Sequence, residues 1–261
     1  MANTVYNNFY LSNEVEDQLN SRLDLLRFCT HDPSLEGTAG MKRTINVYSA
    51  TDGTEKLTQG QGNSKSIEVG FTQKEYEILL AQNRFTWYDE EAMKDPMVVP
   101  TGMKHAGVDL FNTIQADVFA EFKKATLAVS ATAFNFDAFA DARAKLNLEE
   151  ADGVEIFAHV NANVLAQIRK AVKDQLQYVE AFVRSGYVGT ICGINLYDKK
   201  DADDDAIYIG TKKAVTMFTK KGVEIEQERD ANIRKNDAYS RKYYLPALTD
   251  ATQVVKLSVG A

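Results

Sequence analysis

The run DADDD, residues 201–205, places Asp201, Asp203 and Asp205 at the alternate spacing of a calcium-binding loop. Such a loop also needs a glycine at its sixth position and a bidentate Glu at its twelfth. Ala206 and Lys212 stand there instead, so the run reads as an exposed turn between strands with at most weak affinity for a divalent ion. GQGNSKS, residues 60–66, resembles a phosphate-binding loop, but Ser64 precedes the lysine where glycine is required. A strand follows it, not the helix that would complete the motif. The histidines, His31, His105 and His159, are far apart and none pairs with another at metal-ligand spacing. Cys29 and Cys192 lack the local signature of a nucleophile, and no CxxC occurs. The acidic pairs Glu90-Glu91 and Glu149-Glu150 read as solvated charge. YSRKYYLPAL, residues 239–248, mixes aromatic rings with Arg241 and Lys242 and suits packing or a protein interface better than base stacking. These readings leave no catalytic residue, no metal and no cofactor, and the chain is expected not to be an enzyme.

Such residues would have to be positioned by a body of 261 residues, enough for one large domain or two modest ones. Hydrophobic residues make up 44% and charged residues 26%, the composition of a globular chain. A formal net charge of -7 argues against a protein that grips nucleic acid by its phosphates. Two isolated cysteines suit a reducing compartment. No signal-peptide pattern opens the chain and no apolar run reaches the length of a membrane span, so a soluble protein made in the cytoplasm is expected.

The elements read as α+β. Residues 1–40 form an arm in which Val15, Leu19, Leu23 and Leu26 share one helical face that must be buried against something else. RTINVYSA (43–50) and SIEVGF (66–71) alternate like strands on either side of TDGTEKLTQGQGNSKS (51–66), whose only large apolar residue is Leu57. With limbs of roughly 16 residues this hairpin would reach ~50 Å fully extended. A compact chain of this size has a radius of gyration of only ~18 Å. A two-stranded ribbon is barely stable alone, so its supporting surface is expected on another molecule. Residues 75–91 read as strand then turn. Asp95-Pro96 and Val99-Pro100 punctuate a loop, and a helix is expected from Lys104 to Leu127 on the spacing of Val108, Phe111, Ile114, Val118 and Phe122. A break over 129–134, a helix capped by Asn135 or Asp137, a buried strand at 153–160 and a helix capped by Asn161 or Asn163 follow, and then mostly strands, AVTMFTK and GVEIEQERD among them as separate strands. No repeat or low-complexity linker divides the chain.

From residue 136 onward the chain runs through FDAFADARAKLN, VEIFAHVNANVLAQIRK, GYVGTICGINLYDKK and the closing run AVTMFTKKGVEIEQERDANIRKNDAYSRKYYLPALTDATQVVKL. In their order and spacing these segments resemble the major capsid proteins of tailed bacteriophages, which have the Hong Kong 97-like fold. In the first 100 residues only the layout matches. The resemblance implies an N-terminal arm (1–40) and an extended loop (41–74) that lies across a neighbouring subunit, with Gly53, Gly60 and Gly62 letting it bend differently at different lattice positions. It further implies a peripheral domain (75–130 and 222–261) with a spine helix at about 104–127, and an axial domain (131–221). The partners implied are the chain itself, as hexamers and pentamers of an icosahedral shell, separate scaffolding and portal proteins, decoration proteins, and double-stranded DNA packaged without sequence-specific binding. No membrane is involved. The location implied is the virion, assembled in the host cytoplasm. Lys56 and Lys65 stand where some relatives carry a crosslinking lysine, with no assignable Asn partner. Candidate intersubunit contacts are Val15, Leu19 and Leu23 in the arm, Leu57, Gln59 and Lys65 in the loop, Asp203 in the acidic turn, and Arg229, Arg234 and Arg241 facing a neighbour's carboxylates. Alternatives are a cellular protein compartment of the same fold, a metal-dependent enzyme using Asp201 to Asp205, and a nucleic-acid-binding module.

Overall fold

In a computed structural model the described residues are 25–148, 153–172 and 187–260. They divide into a large unit and a small one, residues 39–78. The arm residues Val15, Leu19 and Leu23 lie outside the described residues, as do the Glu149-Glu150 pair and residues 173–186.

The small unit is a hairpin of β2 (Lys42–Ala50) and β3 (Val69–Glu77), paired antiparallel from Lys42↔Glu77 to Ala50↔Val69.

In the large unit, a four-stranded sheet has the order β1 (Thr30–Asp32), β10 (Val215–Asp230), β11 (Lys235–Leu248), β4 (Leu79–Tyr88). The two runs read as separate strands, AVTMFTK and GVEIEQERD, are one 16-residue strand, β10, with register irregularities around Lys221 and Gly222. A bulge of this kind lets a long strand bend without ending. A short helix α1 (Asp89–Lys94) links β4 to the long helix α2 (Val98–Phe122).

α2 starts and ends earlier than the periodicity predicts. Pro100 falls in its first turn, where the backbone N–H groups lack intrahelical partners anyway, so the proline is tolerated instead of marking a loop. At the far end Leu127 does not extend the helix. It opens β5 (Leu127–Ala131), which pairs parallel to β12 (Val254–Val259), a partner more than 120 residues away. The expected break at 129–134 therefore begins as strand.

α2 buries Met103, Leu110, Ile114, Val118 and Phe122 at three-to-four spacing, and with Trp87, Met217 and Tyr244 these form one core. Gly102 lets the helix lie against β4, because a Cβ there would stand 2.1 Å from the Phe85 ring. Phe85 in turn stacks on Trp87 at 5.2 Å between centroids. Gly102→Ala is expected to destabilise the fold by about 1–2 kcal/mol, overpacking outweighing the ~1 kcal/mol gained in helix propensity. A lowered urea midpoint at unchanged slope is the readout.

The six-stranded sheet has the order β5-β12-β9-β6-β8-β7, with β6 (Ile156–Val160), β7 (Tyr187–Ile191), β8 (Ile194–Asp198) and β9 (Ala206–Thr211). The helices α3 (Phe136–Leu146) and α4 (Ala162–Val172) supply Phe139, Ala142, Val164 and Ile168 to a second core with Ile194, Ile207, Ile209 and Leu257. Asn135 caps α3 by accepting from Ala138 N at 2.9 Å, and Asn161 caps α4 by accepting from Val164 N at 2.8 Å. The fold is α+β. No helix among the described residues is long and apolar enough to cross a membrane.

Candidate assembly surfaces

The hairpin's register sorts its side chains. Because Ile45 pairs with Lys74 while Tyr48 pairs with Phe71, the apolar residues of the two limbs do not all share a face. One face carries Tyr48, Val69 and Phe71, each more than 60% exposed, with the two rings 6.0 Å apart. Arg43 and Tyr76 pair on the other face with Ile45 beside them, and all three are half-buried.

The loop 51–68 closes on itself through polar bonds. The Glu55 carboxylate accepts from Ser64 N (3.0 Å) and Ser64 Oγ (2.9 Å), and Asn63 Nδ2 donates to Gly53 O at 3.0 Å. At its closed end Thr51 N donates to Glu68 O, while Glu68 N donates back to Thr51 Oγ1. Side chains that bond to nearby backbone order a loop that buries almost nothing. Leu57, Gln59 and Lys65 are all exposed on it, as is Ile67.

The acidic run is occupied by the chain's own cations and donors. Asp203 accepts from Lys123 Nζ at 2.6 Å and from the Tyr208 hydroxyl at 3.1 Å. Burial, followed by that bond, pushes the Tyr208 phenol up to about 12. Asp204 accepts from Asn161 Nδ2 at 2.6 Å and from Asn163 Nδ2 at 3.2 Å. The run thus ties the end of α2 to the start of α4. Among the described residues no group of His, Cys, Asp or Glu is placed to hold a metal ion. His31 and His105 are exposed on β1 and α2. His159 is buried among Phe28, Phe119, Phe122 and Phe157, and burial, with a smaller contribution from Lys199, holds its imidazole down at about 3. Both cysteines are free thiols.

The three candidate arginines each bind carboxylates of this chain. Arg229 meets Asp89 at 2.6 Å, Arg234 meets Glu90, and Arg241 reaches Glu224 at 3.1 Å and Glu226 at 2.5 Å. Glu90 is therefore an ion-pair partner and not simply solvated charge. These pairs brace the end of the four-stranded sheet against α1 and β10 against β11. A further cluster escaped the sequence reading: Asp237, 8% exposed, accepts from Arg84 through both carboxylate oxygens, from Thr86, and from Lys235.

No family model matches the chain. The major capsid protein of Staphylococcus phage phiMR11 is 21% identical over 253 residues, covering 95% of this chain and 91% of that protein. The capsid of a native GTA particle superposes with a TM-score of 0.69 at 13% identity, covering 91% of this chain and 90% of the other. The capsid of cyanophage P-SCSP1u gives 0.68 at 12% identity over 91% and 88%. The fold is related to the Hong Kong 97-like capsid fold. A virus-like particle from Pyrococcus furiosus also matches, at a TM-score of 0.65 and 13% identity over 97% of this chain and 100% of its own.

Proposed function

We propose that this chain is the major capsid protein of a tailed bacteriophage. Many copies assemble as hexamers and pentamers into an icosahedral shell around double-stranded DNA. The observation that carries this reading is the exposed Tyr48–Val69–Phe71 face of a ribbon with no core of its own. A neighbouring copy supplies the surface that buries it. In this reading residues 1–40 are the arm, 41–74 the extended loop, 75–130 and 222–261 the peripheral domain with α2 as its spine, and 131–221 the axial domain. Leu57, Gln59 and Lys65 meet the neighbour, and so do the arm residues Val15, Leu19 and Leu23. Asp203, Arg229, Arg234 and Arg241 add register and specificity around their in-chain pairs, since exposed ion pairs contribute little binding energy individually. Scaffolding and portal functions come from separate proteins. Assembly takes place in the host cytoplasm and the subunit ends in the virion. The net charge of -7 suits a wall that contains DNA without gripping it.

A second reading is a cellular compartment of the same fold that encloses a protein cargo; the virus-like particle from Pyrococcus furiosus shares the fold over 97% of this chain. Sedimentation velocity with electron microscopy of the fast fraction tests the shared claim. Hollow shells or ring-shaped capsomers are expected, and removal of residues 51–66 should impair them. A subunit that stays monomeric even with its scaffold present would sink the shell reading. The contents of recovered shells, DNA or protein, separate the two.

A further inference from the structure

The sheet of the small unit holds only β2 and β3, so each strand has one free edge. The register shows which backbone groups face outward. Thr51 N donates to Glu68 O at 3.0 Å and Ile78 N donates to Met41 O at 2.9 Å, one bonded pair at each end of the ladder. Bonded and non-bonded pairs alternate along an antiparallel ladder. The odd-numbered residues of β2, Arg43 to Ser49, therefore bond to β3, while Thr44, Asn46, Tyr48 and Ala50 turn their N–H and C=O groups away from it. On β3 the outward set is Val69, Phe71, Gln73, Glu75 and Glu77.

The two edges differ in chemistry. Charge on an edge strand deters pairing with another chain. β3 carries Lys74, Glu75 and Glu77. On β2 the run TINVYSA, residues 44–50, has no charge and no proline, and Thr44, Ile45, Val47 and Tyr48 are β-branched or aromatic. That is the composition of a segment that accepts further strands. Among the described residues no strand lies along this edge, and Thr44, Asn46, Tyr48 and Ala50 are exposed.

We propose that β2 pairs antiparallel with β2 of a second copy about a two-fold axis at Val47, joining two ribbons into one four-stranded sheet. The inference rests on the shell reading and names the edge by which the ribbon meets a neighbour. Bonded pairs must match outward residues, here Thr44 with Ala50 and Asn46 with Tyr48 of the other copy. This register uses the whole uncharged run. It also sets Lys42 opposite Asp52 of the other copy, twice by symmetry, and opposite charges directly across a strand pair attract. Lys42 Nζ lies 3.5 Å from Glu77 and 63% of its side chain is exposed, so an ammonium with three donors still has one for Asp52. Moving the axis to Asn46 or Tyr48 puts Lys42 opposite Ala50 or Thr54 and loses that match. Tyr48, Val69 and Phe71 of both copies then share one face, and a sheet of more than two strands with an apolar face is stable where a lone ribbon is not.

The test uses the whole chain under assembly conditions. At the axis Val47 stands opposite Val47 of the other copy as a non-bonded pair, with Cα atoms ~4.5 Å apart, within disulfide range. Val47→Cys oxidised with copper phenanthroline should give a disulfide-linked dimer on non-reducing gels. Thr44→Cys should give none beyond wild type, because the two copies of residue 44 lie ~20 Å apart along the pair. Asn46→Pro removes an outward N–H and breaks no bond to β3, so it should lower shell yield at least ~10-fold with the subunit's melting unchanged. Gln73→Pro removes the corresponding donor from the β3 edge and should change the yield less than ~2-fold. Shells without the Val47→Cys dimer overturn the pairing and leave the shell reading standing. The dimer without shells supports the pairing and sinks the shell reading, and absence of both overturns both. Equal losses from Asn46→Pro and Gln73→Pro also overturn the pairing, since β2 would then not be the edge in use.

Discussion

Asp237→Ala is expected to destabilise the large unit by about 2–3 kcal/mol, measured as a lowered urea midpoint at unchanged slope. The carboxylate sits on β11 directly opposite Thr86 of β4. Arg84 grips it with two bonds, at 3.0 and 2.7 Å, while Thr86 and Lys235 take its remaining lone pairs. Removal strands a guanidinium and a hydroxyl at a seam between two strands. The effect falls at the low end of that for a fully buried pair because the Arg84 side chain is about half exposed, at 47%. Asp237→Asn keeps the shape but not the charge, and should lose about half as much.

The same cluster sets a pH dependence. The Arg84 hydrogen bonds, then those from Thr86 and Lys235, hold the Asp237 carboxyl well below the usual carboxylate range. A depressed folded-state value means the unfolded chain takes up its proton first as pH falls. The stabilisation is therefore fully present above about pH 4 and is lost progressively below it, towards the depressed value. Wild type and Asp237→Asn should converge in stability on acidification through that window. A gap that stayed constant to pH 2 would mean the charge is not what holds the seam.

Tyr48→Ser combined with Phe71→Ser is expected to abolish shell or capsomer formation while leaving the melting transition of the subunit nearly unchanged. The two rings are 64% and 63% exposed within the chain, so the single subunit loses little when they go. Between subunits each ring would bury enough apolar surface to contribute about 1.5–3 kcal/mol. That term recurs at every contact of a lattice, and aromatic anchors dominate such contacts. Sedimentation should move from fast species to the single subunit. Shells of wild-type yield from the double variant would show that this face lies free in the assembly.

The two predictions differ in how far their residues could be read from sequence. Tyr48 and Phe71 lie in stretches whose alternation announces strands, and that much was legible. Which residues share a face was not. It depends on pairing Lys42 with Glu77, and a shift of one residue would turn Phe71 to the opposite side. Asp237 gave little local signal, because only Lys235 among its partners is near in sequence and Arg84 and Thr86 lie more than 150 residues away.

By itself the sequence determined what short-range chemistry controls. Three-to-four apolar spacing made α2 a helix, Asn135 or Asp137 and Asn161 or Asn163 marked the starts of α3 and α4, with the structure choosing Asn135 and Asn161, and β-branched alternation placed most strands. It also placed a polar loop between two limbs, where nothing but hydrogen bonds could order it. Only the tertiary structure decided the ends of α2, the fusion of two apparent strands into β10, and the parallel pairing of β5 with β12. It also decided the binding of Asp203 to Lys123 in place of a metal. The physical reason is range. Propensities and caps act over about four residues, whereas pairing and ion-pair choice are fixed by burial between segments that the chain brings together only when it folds.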